Sequence, residues 1–434
     1  MIILGLNAYH GDSAACIVVD GKLVAAVEEE RLRRVKHWAG FPSEAIRWCL
    51  ETAGCQASDV DHLAVNRNAS ANLMKKALFA LRKRPSFALI RDRLQNANRV
   101  RDIRQTFCEQ FGLDGRSRRP EVHHVEHHIA HLASAFLVSP FDRAALVSVD
   151  GFGDFVGAMW GVGEGSDLRV ADRVFFPHSL GLFYLALTQF LGFPHYGEEF
   201  KVMGLAAYGQ PSYLDSMRKL VRLLPEGRFE LALEYFRHHA EGASMTWDNG
   251  SPTIGPVFAE RMAELLGSAR RPDEPVTQRH QDIASSMQAM YEEAYFHLLR
   301  HAHRQTGFDR LCLAGGCAMN SVANGKVLLE TPFREVYIPP APGDAGGAIG
   351  AAFYVWNHAI GQPRGFVMDS PYWGPSFDDD TIAQVLRADA SFEQVSTVER
   401  LDDERALCRR TAEAIAQGKV VGWYQGRMEW GPRA

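Results

Sequence analysis

The chain has 434 residues, 46% of them hydrophobic and 23% charged, with a formal net charge of -5. That length is too great for one ordinary core and calls for two or three units, while the near-average composition gives no bulk reason to expect nucleic acid or a membrane as partner. Seven cysteines, odd in number and never in a CxxC pair, argue against a disulfide framework or zinc ribbon and fit a reducing compartment.

In chain order, the first prediction is a three-stranded meander of IILGLNA, SAACIVVD and KLVAAVEEE, with a hairpin turn at Asp20-Gly21. The N-terminal segment MIILGLNAYHGDSAACIVVDG lacks a basic n-region and soon meets polar residues, so neither a signal peptide nor a spanning helix is expected, and the protein is expected in the cytoplasm. Helical spacing follows in SEAIRWCLETAG and NLMKKALFALRKR. From Lys75 to Arg119 there are thirteen Lys/Arg against four Asp/Glu. This basic helical insertion is either a solvated helix pair or a landing surface for an anionic partner.

The stretch HVEHHIAHLASAF, from His124 to Phe136, reads as a helix entering a core. Beyond it the meander recurs as AALVSVD, the turn GFGD, VGAMWGVGEG and LRVADRVFF, again followed by a helix, SLGLFYLALTQFLGF. Two copies of one topology imply a duplicated α/β domain with a cleft between lobes of about 1–140 and 141–360. Helices are also predicted in IASSMQAMYEEAYFHLLRHAHRQ and GGAIGAAFYVWNHAI. A Pro/Gly-bearing linker over about 361–400 then leads to a helix-plus-strand segment, ERALCRRTAEAIAQGKVVGWYQG, that reads as the start of another domain over 401–434.

His127 and His131 lie four apart, so on a helix their rings share a face and can grip one ion; His124 and His128 repeat the spacing on a different face. Histidines also cap and pack, so a third ligand is required. Asp344 follows the strand-like EVYIPP and precedes a small-residue helix, a junction that faces the ligand crevice of α/β proteins. Two imidazoles and one carboxylate with open positions suit Fe(II) or Zn(II) as a Lewis acid, although Asp344 also fits an N-cap. Gly315 and Gly316, between an apolar strand and a helix, permit close approach of a phosphorylated or flat ligand, and with the turns GFGD and YHGDSAA they point to a nucleotide cleft.

Together HGDSAA, AAVEEERLRRVKHWAGFP, EHHIAHLASAF, VDGFGD, EFKVMGLAAYG, LAGGCAMNSVANGK, PPAPGDAGGAIGAA and GRMEWGPRA closely resemble the NodU/CmcH family of O-carbamoyltransferases, in order over essentially the whole chain. The resemblance implies a duplicated actin/sugar-kinase/Hsp70-like domain, similar to the tRNA threonylcarbamoyl-transferring proteins, followed by a YrdC-like α/β domain. It further implies that carbamoyladenylate, made from carbamoyl phosphate and ATP, donates its carbamoyl group to a hydroxyl of a sugar, antibiotic or related metabolite.

Fe(II) is implied on His127, His131 and Asp344, and the adenosine side on Gly315, Gly316 and Asn320. His10, Ser13, Asp150, Gly151 and Lys201 match turns facing the same cleft. Asp12 and Asp150 are the candidate bases; relatives commonly read HDASAA where this chain reads HGDSAA, which moves the first carboxylate by one residue. GRMEWGPRA is where relatives continue into the YrdC-like domain, so that domain is expected to be incomplete here. Two alternatives are a small-molecule kinase of the same superfamily, disfavoured by the imidazole pair, and a non-catalytic nucleotide-binding remnant. No feature names the acceptor.

Overall fold

The computed structural model describes residues 1–83, 102–113, 119–241, 245–248, 250–389 and 391–432. Its first sheet begins with the predicted meander, β1 (Ile2–Asn7), β2 (Ala14–Val19) and β3 (Lys22–Glu28), paired antiparallel throughout. Asp20 and Gly21 both take positive φ, as a two-residue hairpin demands. Helix α1 (Ser43–Thr52) covers β2 and β3. Strand β4 (His62–Val65) adds in parallel to β1, and β5 (Glu121–His124) in parallel to β4, giving the order β3-β2-β1-β4-β5. Of the basic insertion, helices α2 (Leu73–Lys83) and α3 (Ile103–Gln110) are described; 84–101 and 114–118 lie outside the described residues.

Helix α4 (His127–Phe136) follows at once, and then the second sheet opens with β6 (Arg143–Gly153), β7 (Val156–Glu164) and β8 (Asp167–Phe175), again antiparallel neighbours. Helices α5 (Leu180–Phe190) and α6 (Glu199–Leu205) come next, then two small hairpins, β9 (Val221–Leu223) with β10 (Phe229–Leu231) and β11 (Met245–Asp248) with β12 (Ser251–Ile254). The long α7 (Gln278–Thr306) precedes β13 (Arg310–Ala314) and β14 (Glu335–Tyr337), which extend the second sheet in parallel beside β6. Its order, β8-β7-β6-β13-β14, repeats that of the first sheet strand for strand. The fold is the duplicated actin-like α/β architecture. Among the described residues no helix is long and apolar enough to cross a membrane.

What brings the two halves to one place is helix α8 (Gly346–Tyr354), which packs on β1, β2 and β4 and against α4. The approach is backbone to backbone: a Cβ added at Gly350 would stand 1.8 Å from the carbonyl oxygen of Ala130. Any larger residue there must push α8 off α4, and the loop before α8 carries Asp344.

By contact density the chain divides into Met1–Asp369 and Ser370–Ala434. The second unit contains α9 (Asp379–Ala388) and α10 (Glu404–Ala416), whose first turns are capped by Asp378 and Asp403. The strand expected in VVGWYQG is absent: residues 420–425 carry no regular structure, and Val421, Trp423 and Tyr424 are exposed. A strand needs a partner ladder, and apart from the single bridge Ser376–Arg427 the described residues of this unit offer none.

Candidate metal centre

Helix α4 begins where two side chains fix its first turn. Glu126 accepts a hydrogen bond from the backbone N–H of His128 (3.4 Å), and Asp154 Oδ2 accepts one from that of His127 (2.9 Å). Both carboxylates sit where the helix macrodipole is positive. Asp154 holds this post because the β6–β7 turn lies one step later than the sequence predicts. GFG stays within β6, and the turn falls on Asp154-Phe155, both at positive φ (47° and 76°). A buried phenylalanine there is strained, and Asp154 compensates by also accepting from the N–H of Asn68 (2.7 Å).

With α4 so anchored, His127 and His131 project from one face, and their Nε2 atoms stand 3.0 Å apart. From β6, Asp150 brings Oδ2 to 3.1 Å from His127 Nε2 and 3.7 Å from His131 Nε2. From the loop before α8, Asp344 brings Oδ1 to 3.4 and 3.5 Å from the same two nitrogens. All four side chains are buried, and their ligand atoms lie within 4.8 Å of one another.

The arrangement fits a divalent cation. Ligands at about 2.1 Å from one ion are separated by roughly 3.0–3.5 Å for right-angled to tetrahedral geometry, which is the spacing of the two imidazoles and Asp344. Asp344 Oδ1 is also buried without a hydrogen-bond partner among the described residues, and such an atom calls for a cation or a proton donor. The protein alone answers with a proton. Burial opposes charge on His131, but the pull of the facing Asp150 and Asp344 carboxylates outweighs it and pushes its pKa up to about 9. Desolvation likewise opposes the carboxylates, yet the His127 and His131 contacts hold Asp150 well below the usual range, and His10 and His131 do the same for Asp344. Asp344 is not a side-chain N-cap; only its backbone carbonyl serves α8, accepting from Gly347 N–H at 3.0 Å.

Around this centre the other candidates are distributed unevenly. His10 Nδ1 lies 2.5 Å from Asp344 Oδ2. Gly316 donates its N–H to Asp150 Oδ1 at 2.8 Å, so the glycine turn grips the carboxylate itself, and Gly315 donates to the carbonyl of Pro342. Gly151 follows Asp150 with open space on its Cα. The Asp12 carboxylate takes His37 Nδ1 at 2.7 Å and the Tyr196 hydroxyl at 3.3 Å. The Ser13 hydroxyl lies against the carbonyls of Gly40 and His10. The Lys201 ammonium pairs with Glu198 at 2.6 Å. Asn320 caps the turn at Ala323 and exchanges amide hydrogen bonds with Gln288.

Of the remaining imidazoles, that of His128 is structural. His128 is buried between Ser148 Oγ (2.6 Å) and the carbonyl of Val156 (2.9 Å), and burial beside His127 and His131 lowers its pKa to about 3. Sequence reasoning missed Asp154, His37 and Tyr196. It also missed Arg67, whose pKa desolvation lowers against the pull of Asp154 and Asp344. Arg67 follows strand β4 as Asp150 ends the apolar run of β6, so a strand-end rule applied to AVNRN is the signal that would have found it.

A family model described as carbamoyltransferase N-terminus matches residues 2–353, the span that contains every residue of this centre. The chain belongs to the carbamoyltransferase family. Relatives include an uncharacterised protein of Synechocystis sp., 39% identical over the whole of this chain and 69% of its own length. The nodulation protein NolNO of Sinorhizobium fredii is 36% identical over 99% of this chain, and nodulation protein NolO of Bradyrhizobium diazoefficiens 36% over 71%. The chain spans 58% and 52% of the lengths of those two nodulation proteins. The crystal structure of HypF from T. kodakarensis aligns with 83% of this chain and 48% of its own at a TM-score of 0.40 and 15% identity.

Proposed function

We propose that this chain is the transfer portion of an O-carbamoyltransferase, moving a carbamoyl group from carbamoyladenylate to a hydroxyl of a sugar, antibiotic or related metabolite in the cytoplasm. The observation that carries the proposal is the convergence of His127, His131 and Asp344 within a chain that the carbamoyltransferase family claims over residues 2–353. In this reading the transfer domain lies within Met1–Asp369, and the segment 401–434 begins a YrdC-like domain that generates carbamoyladenylate from ATP and carbamoyl phosphate.

His127 Nε2, His131 Nε2 and Asp344 Oδ1 would hold the ion, Fe(II) by family resemblance. When bound it supplies Lewis acidity toward the carbamoyl oxygen. His10, against the other oxygen of Asp344, orients that ligand. Asp150 is tied through Oδ1 to Gly316 and keeps Oδ2 at the centre, placed to take the proton of the attacking hydroxyl. The acceptor oxygen then forms its bond to the carbamoyl carbon as the bond from that carbon to the adenylate oxygen breaks, and AMP leaves with the electron pair. Asp12, with His37 behind it, serves as an alternative proton acceptor on the first-lobe side. Gly151, Gly315, Gly316 and Asn320 line the nucleotide's place, with Ser13 and Lys201 on the facing turns.

The test supplies preformed labelled carbamoyladenylate to the purified Fe(II)-loaded chain with a panel of oligosaccharide and aminoglycoside acceptors. Label in an acceptor, lost in His127→Ala and His131→Ala, is the expected result. Label transfer that survives in both variants would refute the assignment.

A further inference from the structure

A second group of ligand-type side chains lies on the first sheet, outside the centre above. Strand β5 forms the edge and pairs in parallel with β4 in the register His62–Glu121, Leu63–Val122, Ala64–His123. Side chains alternate along a strand, so Glu121 and His123 share a face, and His62, opposite Glu121, joins them there. Leu63 and Val122 turn to the other face and enter the apolar cluster beneath α1. Register alone therefore sets two imidazoles and a carboxylate side by side.

The distances close the group. His62 Nδ1 lies 3.0 Å from His123 Nε2, and the Glu121 oxygens stand 3.8 Å from the first and 3.9 Å from the second. The three ligand atoms fall within 4.8 Å of one another. Both imidazoles are largely covered, at 14% and 18% exposure, whereas Glu121 is 67% exposed. Burial, aided by His62 and His124, lowers the pKa of His123 despite Glu121.

We propose that His62, Glu121 and His123 form a second, exchangeable site for a divalent transition metal, Zn(II) by its ligand set, with water completing the coordination. Two ring nitrogens 3.0 Å apart subtend close to a right angle at an ion about 2.1 Å from each, and the exposed carboxylate can swing in as third ligand. The ion would staple edge strand β5 to β4. Only Val125 and Glu126 separate β5 from α4, so the staple fixes the segment that delivers His127.

The experiment titrates metal-free protein with Co(II) and Zn(II) against a chromophoric chelator. Two equivalents are expected to bind to the unaltered chain. One is lost in His62→Gln/His123→Gln, in which amide groups keep hydrogen-bonding capacity, and the other in His127→Ala/His131→Ala. Glu121→Gln is expected to weaken the second equivalent by roughly tenfold. Circular dichroism confirms that each variant is folded; should His62→Gln/His123→Gln not fold, Glu121→Gln decides alone. Unchanged stoichiometry in His62→Gln/His123→Gln, unchanged affinity in Glu121→Gln, or a single equivalent in the unaltered chain that vanishes only with His127 and His131 overturns the proposal while leaving the main centre intact.

Discussion

The turn after β1 and the end of β6 occupy equivalent places in two sheets of identical strand order, yet they do different work. In the first lobe, His10 touches Asp344 while the carboxylate of Asp12 is taken by His37 and Tyr196. In the second lobe, Asp150 meets His127 and His131 directly, and its other oxygen is held by Gly316. The strands of both lobes answer to the same demand, burial of short apolar runs, so the frame is repeated. The turns answer to local chemistry, and there the copies part.

If that division of labour is right, the two aspartates are not interchangeable. Asp150→Asn is expected to cut carbamoyl transfer by about 10²–10⁴-fold, and Asp12→Asn by less than about 10²-fold, measured as kcat on one acceptor. Equal losses would erase the distinction between the lobes.

The grip of Gly316 on Asp150 sharpens the comparison, since it is a backbone N–H that holds this carboxylate, whereas the first-lobe turn reaches Asp344 through the His10 side chain. A Cβ at this position would stand 2.8 Å from Asp150 Oδ1. Gly316→Val should therefore weaken both nucleotide and Fe(II) binding, by about tenfold each in calorimetry. Loss of nucleotide affinity alone would show that Asp150 is held by other means.

The seam between the lobes can be strained without touching either turn. Gly350→Val drives α8 from α4 and should cost about 3 kcal/mol in denaturant unfolding, with metal affinity falling because Asp344 moves with α8. A variant of normal stability would mean that the seam yields freely.

The smallest expected effect is a pH dependence of the metal-free protein. With its folded pKa raised to about 9, His131 contributes stability that is fully present below its unfolded value near 6.5 and is lost as pH rises through 9. The metal-free melting temperature should therefore fall by a few degrees between pH 6.5 and 9, a slope that Fe(II) removes by displacing the proton. His131→Asn should flatten it.

Much of this was legible in the residues. The short apolar runs of both meanders, the Asp20-Gly21 hairpin and the i, i+4 histidines follow from local rules and are found where those rules put them. Asp344 was marked by its place between a strand and a helix. What escaped depends on tertiary contact. Nothing local says that β6 runs on through Gly153, which moves the turn to Asp154 and frees that side chain to anchor α4. Nor does spacing show that the Asp12 carboxylate turns to His37, twenty-five residues on. VVGWYQG carries strand-like composition, but a ladder requires a neighbour that composition cannot provide.

The central claim is that the two lobes meet in one cation site, and the most direct measurement is anomalous diffraction at the iron edge from crystals of the Fe(II)-loaded chain. A peak about 2.1 Å from His127 Nε2, His131 Nε2 and an oxygen of Asp344 is the predicted result. Iron absent from that position in crystals whose protein carries a full equivalent by elemental analysis would contradict the account.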